Sequence, residues 1–428
     1  MNKEKILIYD DEQGRTEGFK GKLEDGLDAA DQRGNFNVIP LSGLKFQNAI
    51  KALEQRRIEF RNREIDLENI PKDDAEEIDN ASIFIIDYDL LCSQKEQKKE
   101  GEEKTEEFFT GSLTGEIVAY LVRCFSRCKL IIGLNQYGRN PFHLTLREDP
   151  ESFADLNLGE DQLSNAYLWK GDWGGSRRGY RPWSWPNLSD SIHDFNKKVE
   201  EVQKKLDKPI WKVLGFDPEV FQLLPREIVQ FIGKYQGEKL FQTTFREFVT
   251  ESGNGLRVKD TKKLKKGVND HILARVGAAR ISKWLEQLVL PEQDILVDAP
   301  HLVSRYPSLI TGDKEKIGTW NETAQLVDFS KLEMMNTDLI EPCRFKQSYW
   351  ISRPVWFWDK LCECENIKEV SEPWLTVKPD WVFCEDTSCF HKQTDCKEFL
   401  ADIASPFTRR FVKNFKGVDY QPRVRFSL

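Results

Sequence analysis

Two short runs constrain this chain more than any other feature: "KILIYDDE", residues 5–12, and "ASIFIIDYDLL", residues 81–91. Both are apolar and rich in β-branched residues, and both read as buried strands that run straight into carboxylates. Asp10 and Asp11 follow the first strand; Asp87 and Asp89 close the second. Around them the pattern alternates. Residues 16–33 read as a charged helix, and "FNVIPL" as a second strand. Residues 45–64 place Phe46, Ala49, Ile50 and Leu53 at helical spacing. "LTGEIVAYLVRCFSRC" reads as an amphipathic helix, "KLIIGLN" as a fourth strand and "NAYLWKGDW" as a fifth. Strands and helices in this rhythm predict βαβ units and a parallel sheet. Adjacent carboxylates repel one another unless a cation or a positive side chain sits among them. The acids therefore raise the question of what neutralises them.

In an open parallel sheet, ligands bind beyond the carboxyl ends of the strands. The reading above puts Asp10, Asp11, Asp87, Asn135 and Lys170 on that edge. Three carboxylates suit Mg²⁺, which prefers carboxylate oxygens. A lysine beside them suits a phosphate oxygen. The acid pair after strand one, the "IFIID" strand, the "TGEIVAYLV" helix and "YLWK" together resemble the response-regulator receiver domain over roughly the first 175 residues. That resemblance implies an α/β fold with a flavodoxin-like, receiver-type parallel sheet, and a role in two-component signalling. It makes Asp87 the phospho-acceptor, with Asp10, Asp11 and Asp87 holding Mg²⁺ and Lys170 contacting the phosphate. Asp89, two residues past the strand end, is the weaker acceptor. Asn135 or Gln136 stands where the family usually has Thr or Ser, and Gly171 where it usually has proline. The implied partner is a histidine kinase or another protein.

The 428 residues suffice for two or three domains. Residues 1–175 make the receiver-like unit, carrying a charged insert at 93–107. Residues 176–190 form a linker rich in Trp, Arg, Gly and Pro; residues 191–300 are helical, and 301–428 mixed α+β. The rings of Trp173, Trp183 and Trp185 are expected to be buried between domains, although aromatics interleaved with arginine can also stack bases. A net charge of -8 opposes wholesale coating of nucleic acid, leaving the basic run at 259–267 as a local feature. No apolar run reaches the roughly 18 residues of a membrane span. "MNKEK" leads directly into a strand without the apolar core of a signal peptide, so a cytoplasmic location is expected. The nine cysteines then read as thiols or metal ligands rather than disulfides.

Three of those cysteines cluster with a histidine in "WVFCEDTSCFHKQTDCKEF": Cys384, Cys389, His391 and Cys396 suit a tetrahedral, structural Zn²⁺, with Cys362 or Cys364 as a substitute ligand. "LSDSIHDFNKKVEEVQKKL" begins a helix with a Ser or Asp cap. Residues 218–250 continue helical, and no helix-turn-helix output domain stands out, the 268–290 helix being left open as one. No P-loop, HExxH or Ser/His/Asp grouping is legible, so no catalytic set emerges. The expected function is a receiver-like regulatory protein in which the aspartate crevice controls the region after residue 190. The alternative is a metal-stabilised nucleic-acid-binding or effector subunit of a larger assembly, with the receiver fold as scaffold.

Overall fold

The computed structural model describes residues 3–62, 72–88, 90, 113–134, 152–169, 188–217, 219–220, 224, 226–233, 241–251, 256, 269–290, 293–299, 301–302, 306, 309, 338–347, 349–351, 354–365, 381–384, 389–399 and 410–413. The insert at 93–107, the basic run at 259–267, and Asp89, Asn135, Lys170, Trp173, Trp183 and Trp185 lie outside the described residues.

The N-terminal unit is a five-stranded parallel sheet in the order β2-β1-β3-β4-β5. Its strands are β1 (Glu4–Tyr9), β2 (Phe36–Pro40), β3 (Ile83–Asp87), β4 (Leu130–Leu134) and β5 (Leu156–Leu158). This is the flavodoxin-like order, compatible with a receiver fold. Strands β3 and β4 are buried along their whole length, as expected for continuous apolar runs covered on both faces. Helix α1 (Gln13–Ala29) connects β1 to β2. Helix α2 (Gly43–Asn62) buries the predicted stripe of Phe46, Ala49, Ile50 and Leu53. The short α3 (Glu76–Asp79) precedes β3, and α4 (Gly115–Phe125) connects β3 to β4. Thr114 caps α4, its side chain accepting from the Ile117 N–H at 3.3 Å.

The fifth strand differs from the sequence reading. "AYL" (Ala166–Leu168) is a 3₁₀ turn, and the strand beside β4 is the three-residue "LNL". The apolar character of the later run has another use. Leu168 and Trp169 are buried, and the Trp169 ring packs on Phe36 with centroids 4.9 Å apart. The residues leaving β5 are Gly159 and Glu160, and Glu160 pairs with Lys22 of α1 at 2.6 Å. Lys170 follows a turn instead of a strand.

The helical region adds α5 (Leu188–Lys204), α6 (Ile210–Leu214), α7 (Arg226–Ile232), α8 (Phe245–Glu251) and α9 (Asp270–Trp284). Helix α5 is described from Leu188, with Asp190 in its first turn. Helix α9 packs against α5, α8 and α4. It is buried on almost every face, including Arg275, Arg280 and Lys283, so it is a core helix and cannot enter a DNA groove. One apolar core runs from β1 through α9 to Phe357 of β7 (Val355–Phe357), which pairs antiparallel with β6 (Leu296–Asp298). A separate four-stranded sheet comprises β8 (Trp381–Cys384), β9 (Cys389–Lys392), β10 (Cys396–Phe399) and β11 (Arg410–Lys413), in the order β10-β11-β8-β9. Among the described residues, no helix is long and apolar enough to cross a membrane.

Candidate functional site

The carboxyl edge of the large sheet gathers Asp10, Asp11 and Asp87. Strands β1 and β3 are neighbours, with Tyr9 opposite Ile86, so the residues that leave them are brought side by side. Carboxylate oxygens of all three acids lie within 4.8 Å of one another. Asp10 and Asp87 are 2% and 1% exposed. Asp10 is tied to the start of α1: its Oδ1 accepts from the Glu12 N–H at 2.7 Å, and its backbone exchanges hydrogen bonds with the Thr16 hydroxyl. This places the carboxylate at a helix N-terminus, where the backbone dipoles favour negative charge.

Arg15, in the first turn of α1, is the cation nearest the acids among the described residues. Its Nε stands 3.8 Å from Asp10 Oδ2 and its Nη1 3.8 Å from Asp87 Oδ2, while the guanidinium lies over the Phe19 ring. These distances allow attraction but no hydrogen bond. The buried Oδ2 atoms of Asp10 and Asp11 have no hydrogen-bond donor among the described residues. Burial pushes Asp10 up to about 7; the Glu12 N–H opposes the rise, hydrogen bonding with Asp87 adds to it, and Arg15 lowers it. Tyr9 is pushed up to about 12, first by burial and then by Asp11 and Asp10. Among the described residues, the pocket sets three carboxylates against the one Arg15 guanidinium. Two oxygens on one Mg²⁺ at about 2.1 Å stand about 3 to 4 Å apart, so a small inward rotation of these carboxylates fits them to such an ion.

Further contacts surround the end of β3. Gly115 opens α4 so close to β3 that a Cβ there would meet Asp87 O at 2.3 Å and Tyr88 Cα at 2.6 Å. Gly133 on β4 leaves room for the Tyr88 ring, 2.2 Å from where its Cβ would be. The Tyr88 hydroxyl lies 2.7 Å from Ser152 Oγ, which donates to Glu116 Oε2 at 2.7 Å, and Glu116 Oε1 accepts from the Phe153 N–H at 2.8 Å. The Ser152 carbonyl in turn accepts from Arg280 Nη1 and, at 3.2 Å, from Lys283 Nζ; Lys283 also donates to Ala154 O at 2.8 Å.

Of the residues singled out from sequence, the structure brings together Asp10, Asp11 and Asp87. Asn135 would directly follow β4, whose last residue is Leu134. In the smaller sheet, Cys384 Sγ and Cys396 Sγ are 3.1 Å apart, and Cys389 stands opposite Cys384 in the β8–β9 hairpin. His391 stands opposite Val382 and does not complete a three-donor set with the two thiols: among the described residues, the acid trio is the one such group. Arg15, Tyr88, Glu116 and Ser152 were not recognised from sequence. Arg15 alone had a local signal, lying one helical turn past the acid pair.

The fold and site define an α/β domain of flavodoxin-like order with an acidic pocket at the carboxyl edge of its sheet. Comparison of the chain with protein-family models, curated proteins and solved structures gives no match.

Proposed function

We propose that the N-terminal unit is a receiver-like regulatory domain whose pocket takes a divalent cation of the Mg²⁺ class on Asp10, Asp11 and Asp87, and whose state biases the helical region. The observation that carries this reading is the buried Oδ2 of Asp10, which has no donor among the described residues, with Arg15 standing off at 3.8 Å. A buried carboxylate in this condition is costly unless it holds a proton or a cation. In this reading Asp87 is the phospho-acceptor. An oxygen of its carboxylate attacks phosphorus, the bond to the donor breaks, and the electron pair leaves with the donor. Bound Mg²⁺ would supply positive charge to offset that of the carboxylates and the phosphoryl group. Arg15 would serve as the phosphate contact, since Gly159 and Glu160 follow β5 where the family has its lysine. The resemblance gives the partner class, a histidine kinase or another protein that docks on this edge.

Titration calorimetry with Mg²⁺ tests the reading. Wild type is expected to bind, and Asp10→Asn and Asp87→Asn to weaken binding tenfold or more. Beryllofluoride should add to the thermal stabilisation by Mg²⁺ in wild type and not in Asp87→Asn. Absence of any Mg²⁺-dependent heat or stabilisation would reject the proposal.

A further inference from the structure

The β8–β11 sheet carries two cysteines within its described core. Its strands are four residues each, and its described core is Val382, Cys384 and Phe411, with Cys396 packed against them, separate from the main core. Its core residues include the two thiols that stand 3.1 Å apart, closer than ordinary sulfur–sulfur contact. A disulfide, at about 2.05 Å, would use these two sulfurs alone. A third cysteine, Cys389, is in register directly opposite Cys384. A hairpin that sets one cysteine against another and returns through the Gln393–Asp395 turn to a third delivers more sulfur than a disulfide requires.

We infer that this sheet is built around a thiophilic metal ion of the Zn²⁺ class, ligated by Cys384, Cys389 and Cys396, with His391 as the fourth donor after its ring turns toward the sulfurs. Two sulfurs bound at about 2.3 Å to one tetrahedral ion stand about 3.8 Å apart, so the observed pair opens by less than 1 Å to take it. Binding releases the thiol protons, because the thiolate is the ligand. With four protein ligands, the ion is structural. This site is independent of the acidic pocket proposed for a hard cation on oxygen, which lies at the edge of the five-stranded sheet.

The full chain, purified without chelator, is expected to carry about one zinc per molecule by mass spectrometry. Exchange of Co²⁺ into the wild-type protein should give sulfur-to-cobalt charge-transfer absorption with intense tetrahedral d–d bands. This readout needs no variant to fold. Cys384→Ser and Cys396→Ser should each lose the metal at least tenfold, while Cys362→Ser, outside this sheet, should retain it. His391→Ala should shift the d–d bands; unchanged bands would reject His391 as the fourth donor. Wild type that binds neither Zn²⁺ nor Co²⁺, or whose non-reducing peptide map shows Cys384 bonded to Cys396, would overturn the inference.

Discussion

The Tyr88 hydroxyl and the Ser152 Oγ are 2.7 Å apart, and that contact joins the acidic pocket to the helical region. Tyr88 immediately follows Asp87. The Ser152 carbonyl is held by Arg280 and Lys283 of α9. A movement of the β3 end thus reaches α9 through one side-chain pair and one peptide group. Tyr88→Phe is expected to fold with a loss of about 0.5–1.5 kcal/mol, the usual worth of one hydrogen bond. Mg²⁺ affinity should stay within about twofold of wild type, since the ring contributes no ligand. Hydrogen exchange should separate the two effects: Mg²⁺ with beryllofluoride is expected to change protection in α9 of wild type and not of the variant. An unchanged response in Tyr88→Phe would show that coupling does not run through the hydroxyl.

The pocket should make stability depend on pH in a defined direction. Asp10 titrates near 7 in the folded protein against an ordinary value of 3.8. Between these values the folded state keeps a proton that the unfolded chain has released, so this contribution to stability falls as pH rises from about 4 and is lost above about 7. Its size is on the order of a few kcal/mol. Urea unfolding with chelator present, at pH 5 and pH 8, should show wild type losing stability relative to Asp10→Asn as pH rises. Mg²⁺ should restore wild type at pH 8 and leave the variant unchanged. Parallel pH curves for the two proteins would refute the assignment.

Two glycines should respond oppositely to alanine. The Cβ of Gly115→Ala meets backbone atoms of Asp87 and Tyr88, which cannot rotate away. A loss of about 1–3 kcal/mol is expected from overpacking. Gly14, in the exposed first turn of α1, has nothing within 4 Å of an added Cβ. Gly14→Ala should gain up to about 1 kcal/mol from helix propensity. Thermal denaturation of both variants checks the pair, and equal effects would contradict the close approach of α4 to β3.

Arg56 should be among the least replaceable residues of the domain. Its Nη2 and Nη1 hold both Asp79 oxygens at 2.8 and 3.0 Å, its Nε reaches Asp73 at 2.8 Å, and Nη1 also donates to Phe125 O at 2.9 Å. One guanidinium thereby ties α2 to α3 and to the end of α4. Arg56→Ala leaves the buried Asp79 carboxylate without its cation and should cost about 3–5 kcal/mol. Arg56→Met combined with Asp79→Leu should recover a large part of that loss. A double variant no more stable than Arg56→Ala in urea unfolding would count against the ion pair as the cause.

The local pattern was sufficient for β1 to β4, for the helical stripe of α2 and for the edge on which Asp10, Asp11 and Asp87 meet. Strand period, β-branching and the rule that ligand-binding groups follow parallel strands all act over a few neighbouring residues. The fifth strand escaped because "LNL" is too short to display a period. It is a strand because Ile132 and Leu134 of β4 face Leu156 and Leu158 across the ladder. The apolar "AYLW" looked more strand-like, yet its Trp169 ring packs on Phe36. The Cys-rich segment was visible as a cluster, but only the sheet set Cys389 opposite Cys384 and brought Cys396 to 3.1 Å from Cys384. Arg280 and Lys283 read as ordinary helix charges, and their carbonyl acceptor at Ser152 lies 128 and 131 residues away in sequence. Composition sets which side chains are present and local pattern which elements form. Which buried charge meets which acceptor is settled only when the packed elements exclude water and each polar group must find its partner inside the protein.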